Sequence, residues 1–335
     1  MARIFSGIQP TGIATLGNYL GALRNWVELQ QSDDECVYCL VDLHAITTAQ
    51  PPAALREQTY TIAALLLACG IDPTRSVLFH QSAVPAHVRL SWIFNCVARM
   101  GWLKRMTQFK DKAGKNQEEV STGLFVYPNL MAADILAYHA TKVPVGDDQL
   151  QHIELANDIA EKFNHDYGVA FFPRIEALVP KETARVMSLR DGTKKMSKSD
   201  PSDQSRINMT DDADAIVQKI RRAKTDPNPL PDTLEALAER PEARNLLGIF
   251  AAVSGESQAA LLTRFAGSGF GPFKEKLAEA LVAHIVPIGN RTRDYLADKA
   301  ELNRILQTGA AKATAIADPI VTEAEKIVGF LPSLV

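Results

Sequence analysis

The sequence has few cysteines, little net charge and no long apolar run, and each lack closes off a class of protein. Four cysteines, Cys36, Cys39, Cys69 and Cys96, are too few for a disulfide framework in 335 residues. The one C-x-x-C pair, Cys36 and Cys39 in "ECVYCLV", has no second pair or suitably spaced histidines for a metal. It also lies inside a β-branched and aromatic run rather than at a helix start, so buried, reduced thiols are expected. A net charge of −3 rules out a polycation that grips nucleic acid through a global field. No run of eighteen apolar residues occurs and mean hydropathy is −0.07, which argues against a membrane span. The strand-like "RIFSGI" follows Met1 almost at once, leaving no room for a targeting segment, and a cytoplasmic protein is expected.

What is present is an ordinary globular composition, 46% hydrophobic and 22% charged, in a chain long enough for one large domain and a smaller one. Short apolar runs at Ile4–Ile8, Val37–Val41, Val77–Phe79 and Val143–Val145 alternate with helical patterns near Asn18–Gln30, Ala53–Cys69, His87–Ala98 and Asp148–Phe163. That alternation predicts βαβ units and a parallel sheet. Beyond about Lys195 the pattern changes. A Pro-rich linker, Thr225–Asp232, precedes a stretch with helical spacing such as Leu277, Leu281 and Ile285. The expected fold is therefore α/β, a Rossmann-like doubly wound parallel sheet over 1–195, with an all-helical domain over 196–335.

The turn after the first strand, "GIQPTGIATLGN", is glycine-rich yet matches neither the G-x-x-x-x-G-K-[ST] phosphate loop nor the G-x-G-x-x-G dinucleotide turn. Far along the chain, "TKKMSKSDPS" at Thr193–Ser202 sets Lys195 and Lys198 three apart among small hydroxylated residues. Such a loop can wrap a polyphosphate, with lysines as point charges and hydroxyls and amides as donors; a solvated basic loop is the plainer alternative. A third stretch, "VPVGDDQLQHIEL", ends an apolar strand in Gly146 and follows it with Asp147, Asp148 and Gln149. Carboxylates there lie where α/β sheets bind ligands and can accept ribose hydroxyls, or they simply cap the next helix. In "VYPNLMAADILAY" a helix opening at Pro128 puts Met131, Asp134, Ile135 and Tyr138 on one face. Asp134 interrupts that apolar stripe, so it needs solvent, an ion-pair partner or a donor such as an indole N–H.

Lys195-Met196-Ser197-Lys198-Ser199 is the second signature of the class I aminoacyl-tRNA synthetases, and Thr15-Leu16-Gly17-Asn18 resembles the T-x-G-N form of their first signature. Together with "GIQPTG", "NYLGAL" and M-A-A-D-I-L, these strings resemble the bacterial-type tryptophan–tRNA ligases of that family, from Phe5 to about Leu331 and most densely up to Ser199. The resemblance implies ATP contacts at Gln9, Pro10, Thr11, Gly17, Asn18, Gly146, Asp147, Asp148, Val186 and the Lys195–Ser199 loop. It implies an amino-acid pocket of Phe5, Gly7, His44, Tyr127, Met131, Asp134, Ile135, Val143 and Gln149, with Asp134 accepting the indole N–H and Gln149 holding the ammonium. Lys195, Lys198, Lys112 and Gln9 are the implied catalytic residues, acting on ATP carried with Mg²⁺, with no metal site of the protein's own. A homodimer with tRNA(Trp), L-tryptophan and ATP as partners, and no DNA or membrane partner, is expected. Lys112 belongs to a basic segment with Lys104, Arg105, Lys110 and Lys115, and Ile220–Lys224 is a second basic patch; both also read as solvated surface. A tyrosine-specific sister enzyme and a non-ligating nucleotide- or RNA-binding relative are the alternatives.

Overall fold

The computed structural model describes residues 2–107, 120–179 and 185–332, except the side chain of Asp147. Five strands, β1 (Arg3–Ile8), β2 (Glu35–Leu40), β3 (Val77–His80), β4 (Lys142–Pro144) and β5 (Glu176–Leu178), form one parallel sheet in the order β3-β2-β1-β4-β5. The four runs expected to be strands become β1 to β4. The fifth, Glu-Ala-Leu, is too short and too weakly apolar to stand out by pattern.

Both faces of the sheet are covered, as a parallel sheet requires. Strand alternation sends Cys36, Tyr38 and Leu40 into one core cluster and Val37, Cys39 and Val41 into the other. Cys36 and Cys39 therefore point to opposite faces, and burial pushes both thiols up from their ordinary value. The C-x-x-C spacing carries no shared site here, and the two residues are packing groups.

Two sequence expectations shift. The helix carrying Asp134 runs Thr122–Leu136 and does not open at Pro128. Ser121 caps it, accepting from the Leu124 N–H at 3.3 Å, and Pro128 lies inside, where it lacks the N–H that would bond the carbonyl of Leu124. The helical pattern near Asn18–Gln30 is also not one α-helix. It divides into Leu16–Asn18, a π turn at Tyr19–Leu23 and Arg24–Leu29, an irregularity frequent beside functional sites.

The C-terminal part is helical as expected, with long helices Phe270–Ala297 and Lys299–Ile327. Phe270–Ala297 packs along the Pro52–Cys69 helix and Lys299–Ile327 along β3. The backbone contact at β3 is so close that a Cβ on Gly309 would meet the carbonyl oxygen of Leu78 at 1.8 Å. A Cβ on Gly248, within the helix Pro241–Ser254, would meet nothing within 4 Å. Two identical substitutions should therefore have opposite signs in thermal denaturation. Gly309→Ala is expected to lower stability by about 1–3 kcal/mol or more through overpacking, and Gly248→Ala to leave it unchanged or raise it by up to about 1 kcal/mol.

Candidate active site

In an open sheet of this order the crossovers leave β1 and β4 in opposite directions, and a crevice opens beyond their carboxyl ends. The structure has a cavity of about 410 Å³ there, lined by Phe5, Ser6 and Gly7 of β1, by Val143 to Gly146, and by the inner face of the Thr122–Leu136 helix. All nine residues expected to form the amino-acid pocket line it: Phe5, Gly7, His44, Tyr127, Met131, Asp134, Ile135, Val143 and Gln149. Gln9 and Gly146, expected to touch ATP, line it too.

Asp134 is 1% exposed. Its Oδ2 accepts from His44 Nε2 at 2.7 Å, and its Oδ1 from Gln81 Nε2 at 2.6 Å and His87 Nδ1 at 2.7 Å. Burial by itself pushes the carboxyl up. His44 first and then His87 outweigh that, and the group rests below the ordinary carboxylate value. The lysine or arginine partner that a buried aspartate could have had is replaced by two imidazoles and an amide. Gln81 and His87 were not expected in the site. The available signal was their place just beyond β3, at the same carboxyl edge of the sheet as Asp148.

At the other rim, Asp147–Gln149 is a 3-10 turn and the following helix is Leu150–Asp166, with Gln149 at its N-cap and no side-chain cap bond. Helix capping therefore does not account for Asp148. The Asp148 carboxylate accepts from Gln149 Nε2 at 2.8 Å and folds over Gly146, where a Cβ would stand 2.9 Å from its Oδ1. Glycine at 146 is what lets the carboxylate close over the strand end.

The first signature forms a capping box. The Thr15 N–H donates to Asn18 Oδ1 at 2.9 Å, and Thr15 Oγ1 accepts from the Asn18 N–H at 3.4 Å. Asn18 thus spends its carbonyl oxygen on starting the helix, a structural duty beside the adenosine contact implied for it. Gly17 faces Val186 and Met196, to which a Cβ there would stand at 3.7 and 3.6 Å.

Those two residues belong to a small hairpin. Met196 N–H donates to the Val186 carbonyl at 3.0 Å, and Met187 bridges Lys195. The hairpin presents Lys195, Ser197 and Ser199 to solvent, while Lys198 reaches across and donates to the Thr11 carbonyl at 3.1 Å. The N-terminal turn and the distant basic loop therefore meet, with Pro10 buried beneath them. Burial lowers the Lys198 ammonium from its ordinary value. Among the described residues neither Lys195 nor Lys198 has an ion-pair partner, which leaves both charges available to an anion. Lys112 lies outside the described residues.

Behind the loop, Lys219, 3% exposed, bridges Asp203 at 2.7 Å and Asp211 at 2.6 Å. Asn208 donates to Asp203 at 2.9 Å and pairs with Thr15 of the first signature. The helix Ala213–Arg222 that carries Lys219 packs on Phe270–Ala297. The signature loop, the N-terminal turn and the helical part are thus joined at one ionic knot. No sequence motif pointed to Lys219.

The chain matches the family model for tRNA synthetases class I (W and Y) over residues 1–285. It is 56% identical to the tryptophan–tRNA ligase of Caulobacter vibrioides, across 98% of this chain and 95% of that one. With the tryptophan–tRNA ligase of Agrobacterium fabrum it shares 53% identity across 98% of each. Among solved structures, the tryptophanyl-tRNA synthetase of Mycoplasma pneumoniae superposes with a TM-score of 0.87 at 33% identity, covering 99% of this chain and 98% of that one. The Campylobacter jejuni enzyme, complexed with ADP and tryptophan, gives 0.83 at 34% identity, covering 98% and 100%. Sheet order, the meeting of the two signature segments and these likenesses lead to one conclusion: the chain belongs to the class I tRNA synthetases of the tryptophan and tyrosine group.

Proposed function

We propose that the protein activates L-tryptophan with ATP, forming tryptophanyl-adenylate and pyrophosphate, and then transfers the tryptophanyl group to the 3′ end of tRNA(Trp). The observation that carries the amino-acid choice is the ionised, 1% exposed Asp134 at the wall of the cavity. An indole N–H is a donor with no acceptor capacity and suits that carboxylate. A phenylalanine side chain would leave the acceptor unpaired, which discriminates more strongly than a missing methylene does. Phe5, Met131, Ile135 and Val143 supply the apolar walls, and Gln149 with Tyr127 faces the ammonium. High identity to tryptophan–tRNA ligases supports the same reading.

In the first step the tryptophan carboxylate attacks the α-phosphorus in line and pyrophosphate leaves. The carboxylate is already ionised, so the step needs no acid or base, only placement and neutralisation of the charge that spreads onto the leaving group. Lys195 and Lys198 supply that charge, with Lys112 from the family likeness, while Gln9 to Thr11 meet the phosphates. Gly17, Asn18, Gly146, Asp147, Asp148, Val186 and Met196 form the nucleoside side, and Ser197 and Ser199 add hydroxyl donors. Among the described residues no group of three or more His, Cys, Asp or Glu could hold a metal ion; Mg²⁺ enters with the nucleotide as part of the substrate. In the second step the 2′-hydroxyl of the terminal adenosine attacks the adenylate carbonyl and AMP leaves. Residues 196–335 offer the surface for the anticodon.

No single helix among the described residues is long and apolar enough to cross a membrane. For the dimer, Val88 and Trp92 stand one helical turn apart on Ala86–Val97, 55% and 64% exposed, with Met100 close in sequence at 61%. A second copy covering this apolar row would remove that exposure.

Exchange of labelled pyrophosphate into ATP, run with each of the twenty amino acids, tests the activity: tryptophan should be the best substrate, and a better rate with tyrosine, or none at all, overturns the reading. In the same assay Lys198→Ala should lower turnover far more than it raises the KM for tryptophan, because its charge matters most as the leaving group forms. Asp134→Ala should narrow the preference for tryptophan over phenylalanine by about tenfold or more. Sedimentation velocity should show a dimer that Trp92→Glu dissociates; a monomeric wild type would remove the dimer.

A further inference from the structure

The carboxylate of Asp134 has roughly four acceptor positions, two on each oxygen. Gln81 and His87 fill both positions of Oδ1, and His44 fills one of Oδ2. Of these three donors His44 alone lines the cavity. Among the described residues one acceptor position therefore remains, on the oxygen that shares the cavity-lining partner.

The arrangement holds only if His87 presents a proton at Nδ1. A neutral imidazole can carry its proton on either nitrogen, and the bond made by the other one decides which. Behind His87, which is itself fully buried, Tyr138 OH lies 2.8 Å from Nε2. A buried phenol is held in its protonated form, and burial pushes the Tyr138 hydroxyl well above its ordinary range. The Tyr138 hydroxyl has no other hydrogen-bond partner among the described residues, and Asp134 faces Nδ1 as an anion, so the phenol donates to Nε2 and the proton of His87 stays on Nδ1, facing Asp134. The ring of Tyr138 is fixed in turn by stacking on Phe5, itself a cavity wall, with centroids 5.6 Å apart.

We infer that Tyr138 and His87 are positioning residues for substrate choice: the chain Tyr138 O–H to His87 to Asp134 holds one imidazole tautomer, and so leaves a single open acceptor that takes an N–H donor from the ligand. The inference rests on the proposed role of Asp134 as indole acceptor. Loss of the Tyr138 hydroxyl leaves Nε2 of His87 without its described donor while Nδ1 keeps its proton toward the carboxylate. A proton taken up from water at Nε2 then makes His87 an imidazolium, which draws the charge of Asp134 toward Oδ1 and weakens the carboxylate as an acceptor for the ligand. Protonated in this way, the site penalises a ligand without an N–H less.

The test compares tryptophan with β-(benzothiophen-3-yl)alanine, an isostere in which sulfur replaces the indole N–H, by kcat/KM in pyrophosphate exchange. Wild type should prefer tryptophan by about tenfold or more. Tyr138→Phe, which keeps the ring, should shrink that preference by about fivefold, chiefly through KM. His87→Asn places an amide N–H near the position of Nδ1 with no tautomer to choose, so it should retain the preference and make it insensitive to Tyr138→Phe in the double variant. Equal use of the two amino acids by wild type would overturn the role of Asp134 itself. A wild-type preference that survives unchanged in Tyr138→Phe would overturn the tautomer chain while leaving Asp134 in place. A merely structural loss in Tyr138→Phe would depress both substrates together without moving their ratio, and that result also counts against the chain.

Discussion

The constraint on which the rest depends is the sheet order, β3-β2-β1-β4-β5. With β1 in the middle, chain leaving one side of the sheet and chain leaving the other must part at the carboxyl ends of β1 and β4, and the gap between them is a cavity that no side chain has to be removed to create. Phe5 and Gly7 from one strand, and Val143 of the other with Gly146 just beyond it, line it together. Asp134 comes to that gap on the Thr122–Leu136 helix and Gln149 on the 3-10 turn after the fourth strand, while the lysine hairpin, from residues nearly two hundred positions away, meets the turn that follows the first strand.

The site combines opposite electrostatic problems. Asp134 is an anion in an apolar helix stripe, supported by three donors. Lys198 is a cation partly withdrawn from water, held by one backbone carbonyl and no described carboxylate. The first is close to fully satisfied and so favours a fixed geometry. The second lacks a counter-ion, so an arriving polyphosphate supplies what the protein leaves out. The carboxylate side suits selection and the lysine side suits neutralisation of phosphate charge.

Much of this was legible in the residues. Period alone gave four of the strands and the helical character of the C-terminal part, because apolar alternation and helical spacing are set locally. The signature strings marked the N-terminal turn and the basic loop that the fold brings together, and Asp134 stood out as a charge where none belongs. Gln81, His87 and Lys219 were hidden for a different reason. Gln81 and His87 become informative only through Asp134, 53 and 47 positions along the chain, and Lys219 only through Asp203 and Asp211, which lie outside its own helix; no spacing rule reports such pairs. The start of the Asp134 helix is misplaced by pattern because its cap, Ser121, lies ten positions ahead of Met131, the first residue of the stripe.

The last helix has a consequence for how the molecule is made. Ala310, Ala313, Ala317, Val321 and Ala324 complete the core on the face that carries Val37, Cys39, Val77 and Phe79, and Gly309 rests against the backbone of β3. During synthesis the part of that face beside β3 stays uncovered until those residues leave the ribosome, although the sheet itself, the helices that cover the rest of the face and every signature segment have long since emerged. The catalytic half is therefore not a unit that can finish folding first. Its assembly waits for nearly the whole chain, and a ribosome that stops before residue 310 releases a sheet with an open apolar face, a species marked for chaperone or protease rather than a partly working enzyme.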